Sequence, residues 1–204
     1  MRSHALQPAK RELDTYACKR PLQRISVRRI TVADVAPLFR QAEAAISGGL
    51  AKVEHVSRII EHNGECIWVV DRRLAGSSKT TVGFHAFLPL SPEGEAALLC
   101  ATFAFLQPDV RHIATAGEEP AALYWWASYG TGTSATAITQ IMGHLKTPRY
   151  RCLDIYSRPA TRHGARALLN VGFRPLSGAA DPIGSLVIYR RLVNRAHPVQ
   201  SPLN

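Results

Sequence analysis

Residues 129–138 read Tyr129-Gly130-Thr131-Gly132-Thr133-Ser134-Ala135-Thr136-Ala137-Ile138, or YGTGTSATAI. An aromatic run, LYWWASY (123–129), leads into them, and ITQIMGHLK (138–146) follows, with Ile138, Ile141, Met142 and Leu145 on one helical face. A strand, a bare turn and a helix start are therefore expected in that order. The first amides of a helix have no partner within it, and together with the helix dipole they form a site that phosphates fill well. Glycine lets a ligand approach that backbone closely. Neither common phosphate-loop pattern fits: no Lys stands where GxxxxGK[ST] needs it, and the third glycine of GxGxxG would fall on Ala135.

Working outward, ISVRRI (25–30) alternates as a half-buried strand does, and Thr31 with Asp34 makes a capping-box start for a helix carrying Val35, Leu38, Phe39, Ala42 and Ile46, stopped by SGG (47–49). A short helix with Val53, Val56, Ile59 and Ile60 ends near Asn63-Gly64. CIWVVD (66–71) and TVGFHAFLPL (81–90) predict a hairpin around AGSSK. Residues 91–120 read as a helix-plus-loop insertion. After the helix over 135–146, RCLDIYS (151–157) predicts a strand, RHGARALLNV (162–171) a helix capped by Thr161 and closed by Gly172, and SLVIYRRL (185–192) a last strand. The order makes a mixed α/β domain over 25–192. A basic arm precedes it (1–24) and a tail follows (193–204).

With 204 residues, 46% of them hydrophobic, the chain can bury one good core but not two. It has no run of eighteen apolar residues and no signal-peptide pattern, so a soluble cytoplasmic protein without membrane contact is expected. Its net charge of +10 attracts acidic partners, and eight of the 25 Lys and Arg residues fall within 1–29. Cys18, Cys66, Cys100 and Cys152 form no CxxC pair, and the eight His residues show no ligand spacing, so no metal is expected.

The loop and the element order resemble the GNAT acyltransferases, whose pyrophosphate loop reads (Q/R)xxGx(G/A) between the fourth strand and the third helix. Here that register gives Tyr129-x-x-Gly132-x-Ser134. A second family landmark, a helix ending in Gly-Phe, is matched by ATRHGARALLNVGF (160–173). The resemblance implies a three-layer fold whose central, mostly antiparallel twisted sheet splays between its fourth and fifth strands. It implies acetyl-CoA as acyl donor, with Tyr129, Gly130, Thr131, Gly132, Thr133 and Ser134 at the pyrophosphate and Thr161 at the position of a frequent Asn. It further implies a backbone N–H near Trp126 or Ala127 for the oxyanion, and direct attack by an acceptor amine of unknown identity. Three departures stand out: Tyr129 replaces Arg or Gln, Thr161 replaces Asn, and Leu168 replaces the Tyr that protonates the leaving thiolate.

LYWWASY holds no carboxylate, so a base must come from elsewhere. His85, on the neighbouring strand and with an unperturbed pKa suited to neutrality, is the first candidate, and Tyr156, Tyr124 and Asp154 follow. Only one of Trp125 and Trp126 can line a channel, since adjacent strand residues face opposite ways. The readings are an N-acetyltransferase, a nucleic-acid-linked role resting on the positive charge, or a degenerate domain that binds coenzyme A without turnover. A homodimer is also considered.

Overall fold

Thr31 starts the first helix as its spacing predicts: its N–H and its hydroxyl both donate to the Asp34 carboxylate, at 2.8 and 2.7 Å. The computed structural model describes residues 23–44, 49–130, 132, 134–176 and 182–191. Its elements are β1 (Gln23–Arg29), α1 (Val32–Glu43), α2 (Val53–His62), β2 (Ile67–Leu74), β3 (Lys79–Leu90), α3 (Pro92–Leu99), a single 3-10 turn (Val110–His112), β4 (Ala122–Gly130), α4 (Ser134–His144), β5 (Ile155–Ser157), α5 (Arg162–Asn170), β6 (Arg174–Pro175) and β7 (Val187–Tyr189).

The strands form one sheet in the order β1-β2-β3-β4-β5-β7-β6, in which β4 and β5 pair parallel and the other neighbours antiparallel. One face is covered by α1, α2 and α3, whose Val35, Leu38, Ile59 and Leu98 share a core with Val69 of β2 and Leu88 of β3. The other is covered by α4 and α5, with Ile141, Leu145 and Leu168 packed over Trp68, Phe87 and Leu123. This is the expected mixed α/β, three-layer, mostly antiparallel architecture. Arg28 locks β1 to the first layer by bridging Asp34 at 2.7 Å and Asp71 at 3.0 Å.

Several boundaries differ from the expectation. β1 begins at Gln23, so the last two residues of the anticipated arm are strand. α1 ends at Glu43; Ile46 and most of SGG lie outside the described residues. RCLDIYS is a strand only over Ile155–Ser157. Upstream of it the chain turns on itself, with Arg151 N–H donating to Thr147 O and Leu153 N–H to Tyr150 O. The Arg191 guanidinium holds that turn by donating to Leu145 O and Tyr150 O. SLVIYRRL likewise shortens to Val187–Tyr189 because Ser185 turns back to Pro182 O. The two-residue β6 has no counterpart in the sequence reading. Residues 91–120 hold α3 and then loop with the single 3-10 turn.

Candidate functional site

β4 and β5 pair only at Leu123–Ile155, Tyr124–Tyr156 and Trp125–Ser157. β5 then stops while β4 runs on to Gly130, so the second half of β4 borders an opening. Within that half the β3–β4 register skips one residue: Ala86 faces Ala127 but Phe87 faces Trp125. Trp126 is therefore the bulged residue, with no Cα partner on β3 or on β5. A bulge leaves its extra residue out of the ladder, so Trp126 stands beside the opening without a ladder partner.

At the top of β4, Gly132 has φ +67°, and a side chain there would meet nothing within 4 Å. The space beside the turn is open, and α4 starts two residues later. Open space, a left-handed glycine and unpartnered helix amides suit a phosphate. Thr131 and Thr133 lie outside the described residues, as does the Ser134 side chain, while the Ser134 backbone begins α4. Tyr129, standing where the resemblance expects Arg or Gln, turns its ring toward Phe84, with centroids 6.1 Å apart. Thr161 serves α5 directly: its hydroxyl accepts from Gly164 N–H at 3.0 Å.

The sheet end that carries this turn is basic. Arg24, Arg73 and Lys79 form one cross-strand row there, with Arg72 beside them, and Arg158 and Arg162 follow β5 at the same end. At the opposite end Glu93, Glu118 and Glu119 line a pocket with Ser91 and Ala114.

The two tryptophans divide as the alternation requires. Trp125 is packed on the α4–α5 side between Phe87 and Phe173, at ring-centroid distances of 5.0 and 6.2 Å. Trp126 faces the other layer, where its indole N–H donates to Phe105 O at 2.7 Å and ties the loop after α3 onto β4. On that same face Tyr124 packs against Phe103 at 5.4 Å, and Arg158 lies over the Phe105 ring at 4.5 Å. Tyr156, opposite Tyr124, donates its hydroxyl to Glu95 at 3.1 Å. Burial pushes the Tyr124 hydroxyl up in pKa; burial and then Glu95 do the same for Tyr156, so both remain protonated at neutral pH. Glu95, half-buried on α3, is the carboxylate that sequence reasoning missed.

His85 lies elsewhere. It points to the α4–α5 side, edge-on to Trp125, is fully buried, and has Ser128 as its partner, with Nδ1 and Oγ 2.7 Å apart. Burial pulls its pKa from 6.5 down to about 4, which corrects the expectation of an ordinary imidazole poised near neutrality. Asp154 sits at the start of β5, away from the opening, and accepts from Arg191 N–H at 3.1 Å. Leu168 is buried in the apolar cluster beneath Trp125. Cys66, Cys100 and Cys152 are free thiols. Among the described residues no helix is long and apolar enough to cross a membrane.

No family model matches the sequence, and no curated protein matches it. Solved structures do. The GNAT-like decarboxylase GphF in complex with isobutyryl-CoA shares 14% identity at a TM-score of 0.52, over 82% of this chain and 100% of that one. Arabidopsis thaliana NAA60 in complex with a bisubstrate analogue shares 15% at 0.50, over 82% and 98%. The protein thus has the GNAT fold, as the sequence resemblance implied.

Proposed function

We propose that the protein is an acyl-CoA-dependent N-acyltransferase that moves an acetyl group from acetyl-CoA to a primary amine. The observation that carries this reading is the course of β4: it outruns β5, bulges at Trp126 beside the opening, and ends in an open glycine turn at the start of α4. In that arrangement the pyrophosphate rests on amides from Gly130 to Ser134, the pantetheine arm follows β4, and the thioester carbonyl receives a hydrogen bond from the Trp126 amide. Such a donor is worth on the order of a hundredfold in rate. The acceptor amine attacks from the face of Tyr124, Trp126 and Tyr156, and Glu95 takes its proton. The general-base work falls to Glu95 rather than His85, because Glu95 lies on the face of Tyr156, whereas His85 is fully buried on the α4–α5 side with Ser128 as its partner.

GphF and NAA60 support the reading as relatives in fold whose complexes contain a CoA thioester and a bisubstrate analogue. A second reading, a domain that binds coenzyme A thioesters without transfer, is favoured by Tyr129 packed on Phe84 and by apolar Leu168. A thermal-shift panel of acetyl-CoA, longer acyl-CoAs, free coenzyme A and tRNA, followed by thiol release with polyamines, amino acids, aminoglycosides and peptides, tests both. Stabilisation by acetyl-CoA with amine-dependent thiol release supports transfer, and stabilisation without release supports the second reading. Stabilisation by tRNA alone overturns both.

A further inference from the structure

Ser128 is the exposed end of a polar pair whose other member, His85, is fully buried. The register places Ser128 opposite His85 on β3, while on its other side β5 has already ended opposite Trp125. The hydroxyl therefore belongs to the stretch of β4 that borders the opening. It shares its face of the sheet with His85, Trp125 and the α5 layer, the face on which Leu168 supplies no polar group.

The hydrogen bond has a direction. His85 Nε2 is buried and has no hydrogen-bond partner among the described residues. Orphaned N–H groups are rarer in protein interiors than orphaned acceptors, which puts the ring proton on Nδ1. Nδ1–H then donates to Ser128 Oγ and leaves the serine proton to be offered to something else. Trp68 and Trp125 border the ring and neither is charged; burial alone sets its protonation, so the imidazole is neutral at pH 7.

We propose that Ser128 directs its hydroxyl proton at the sulfur of the departing coenzyme A, and that His85 is the positioning residue that holds the hydroxyl in this orientation. The assignment rests on the acyl-CoA reading above. As the amine nitrogen bonds to the carbonyl carbon, the carbon–sulfur bond breaks and its electron pair goes to sulfur. The nitrogen sheds one proton and the sulfur gains one. Ser128 keeps its proton and offers it as a hydrogen bond while charge grows on the sulfur; the proton that the nitrogen sheds goes to Glu95 and the released thiolate is protonated from solvent, so no net charge enters the core at His85. A thiol with a pKa of about 8.5 is a better leaving group when its thiolate accepts such a bond.

The test uses free coenzyme A, which needs no acceptor. With the protein saturated, the bound thiol is titrated by its ultraviolet thiolate absorbance. In the wild type and in Ser128→Thr it titrates about one pH unit below its value in Ser128→Ala, as a hydrogen bond to a charged sulfur requires. Ser128 is exposed, so Ser128→Ala folds; calorimetric affinity for coenzyme A checks that the site is intact. Equal titration in wild type and Ser128→Ala overturns the role of Ser128 while leaving the acyl-CoA reading in place. Failure of the wild type to bind coenzyme A removes that reading, and this inference with it.

Discussion

Gly83 lies directly opposite Gly130 across β3 and β4, and a methyl group on Gly83 would come within 2.7 Å of the Gly130 Cα. The missing side chain on β3 thus sets how closely β4 can lie against the sheet just before the turn to α4. Gly83→Ala is expected to displace the end of β4, lowering stability by about 1–3 kcal/mol and weakening acetyl-CoA binding together. Urea unfolding and calorimetry on the same preparation check this; unchanged affinity would separate the strand contact from the turn.

At Gly132 backbone strain and charge can be told apart. Asn tolerates the left-handed conformation better than most residues, and Asp has nearly the same shape with a negative charge. Gly132→Asn should keep acetyl-CoA affinity within about tenfold of wild type, whereas Gly132→Asp should lose on the order of a hundredfold. Equal affinities for the two variants would rule out a phosphate at this turn.

Glu95 accepts from the Tyr156 hydroxyl on the face from which the proposed acceptor amine attacks. Glu95→Gln should reduce acyl transfer by roughly a hundredfold with little change in acetyl-CoA affinity. Tyr156→Phe should have a milder effect, since it removes a partner of the carboxylate and not the carboxylate itself. Full activity in Glu95→Gln would move the proton to a water chain.

His85 makes stability depend on pH. Its folded pKa of about 4 is below the unfolded 6.5, so the unfolded chain binds more protons between those values and stability rises with pH there. The contribution is fully present above pH 6.5 and is lost as pH falls toward 4. Between pH 7 and pH 5 it should cost about 2 kcal/mol, measured by denaturant unfolding. A folded His85→Gln should show a flatter profile over that window, and an identical slope would show that other groups set it.

The features legible in the sequence are those written into a few neighbouring residues. The capping pair Thr31–Asp34, the Thr161 cap and the strand–turn–helix at YGTGTS each occupy a handful of positions, and the structure reproduces them. The Tyr156–Glu95 and Ser128–His85 hydrogen bonds were invisible because their members are far apart in the chain. Tyr156 and Glu95 are 61 residues apart, and Ser128 and His85 are 43 apart. The bulge at Trp126 is likewise a property of β3 and β4 together. β5 and β7 were overestimated because their alternation continues into segments that Arg191 and local turns pull out of the sheet.

The row of Arg24, Arg73 and Lys79 places like charges side by side, a cost that Asp71 offsets for Lys79 by pairing with it at 2.8 Å. With Glu93, Glu118 and Glu119 around a pocket at the other end of the sheet, the charge is distributed unevenly along its length. A polyphosphate diffusing up to it is turned, before contact, toward the end where β4 meets α4. That guidance acts over roughly a screening length of about 8 Å at physiological salt. Ionic strength should therefore slow the arrival of an acyl-CoA far more than it hastens its departure, and capture would be governed by residues that never touch the ligand.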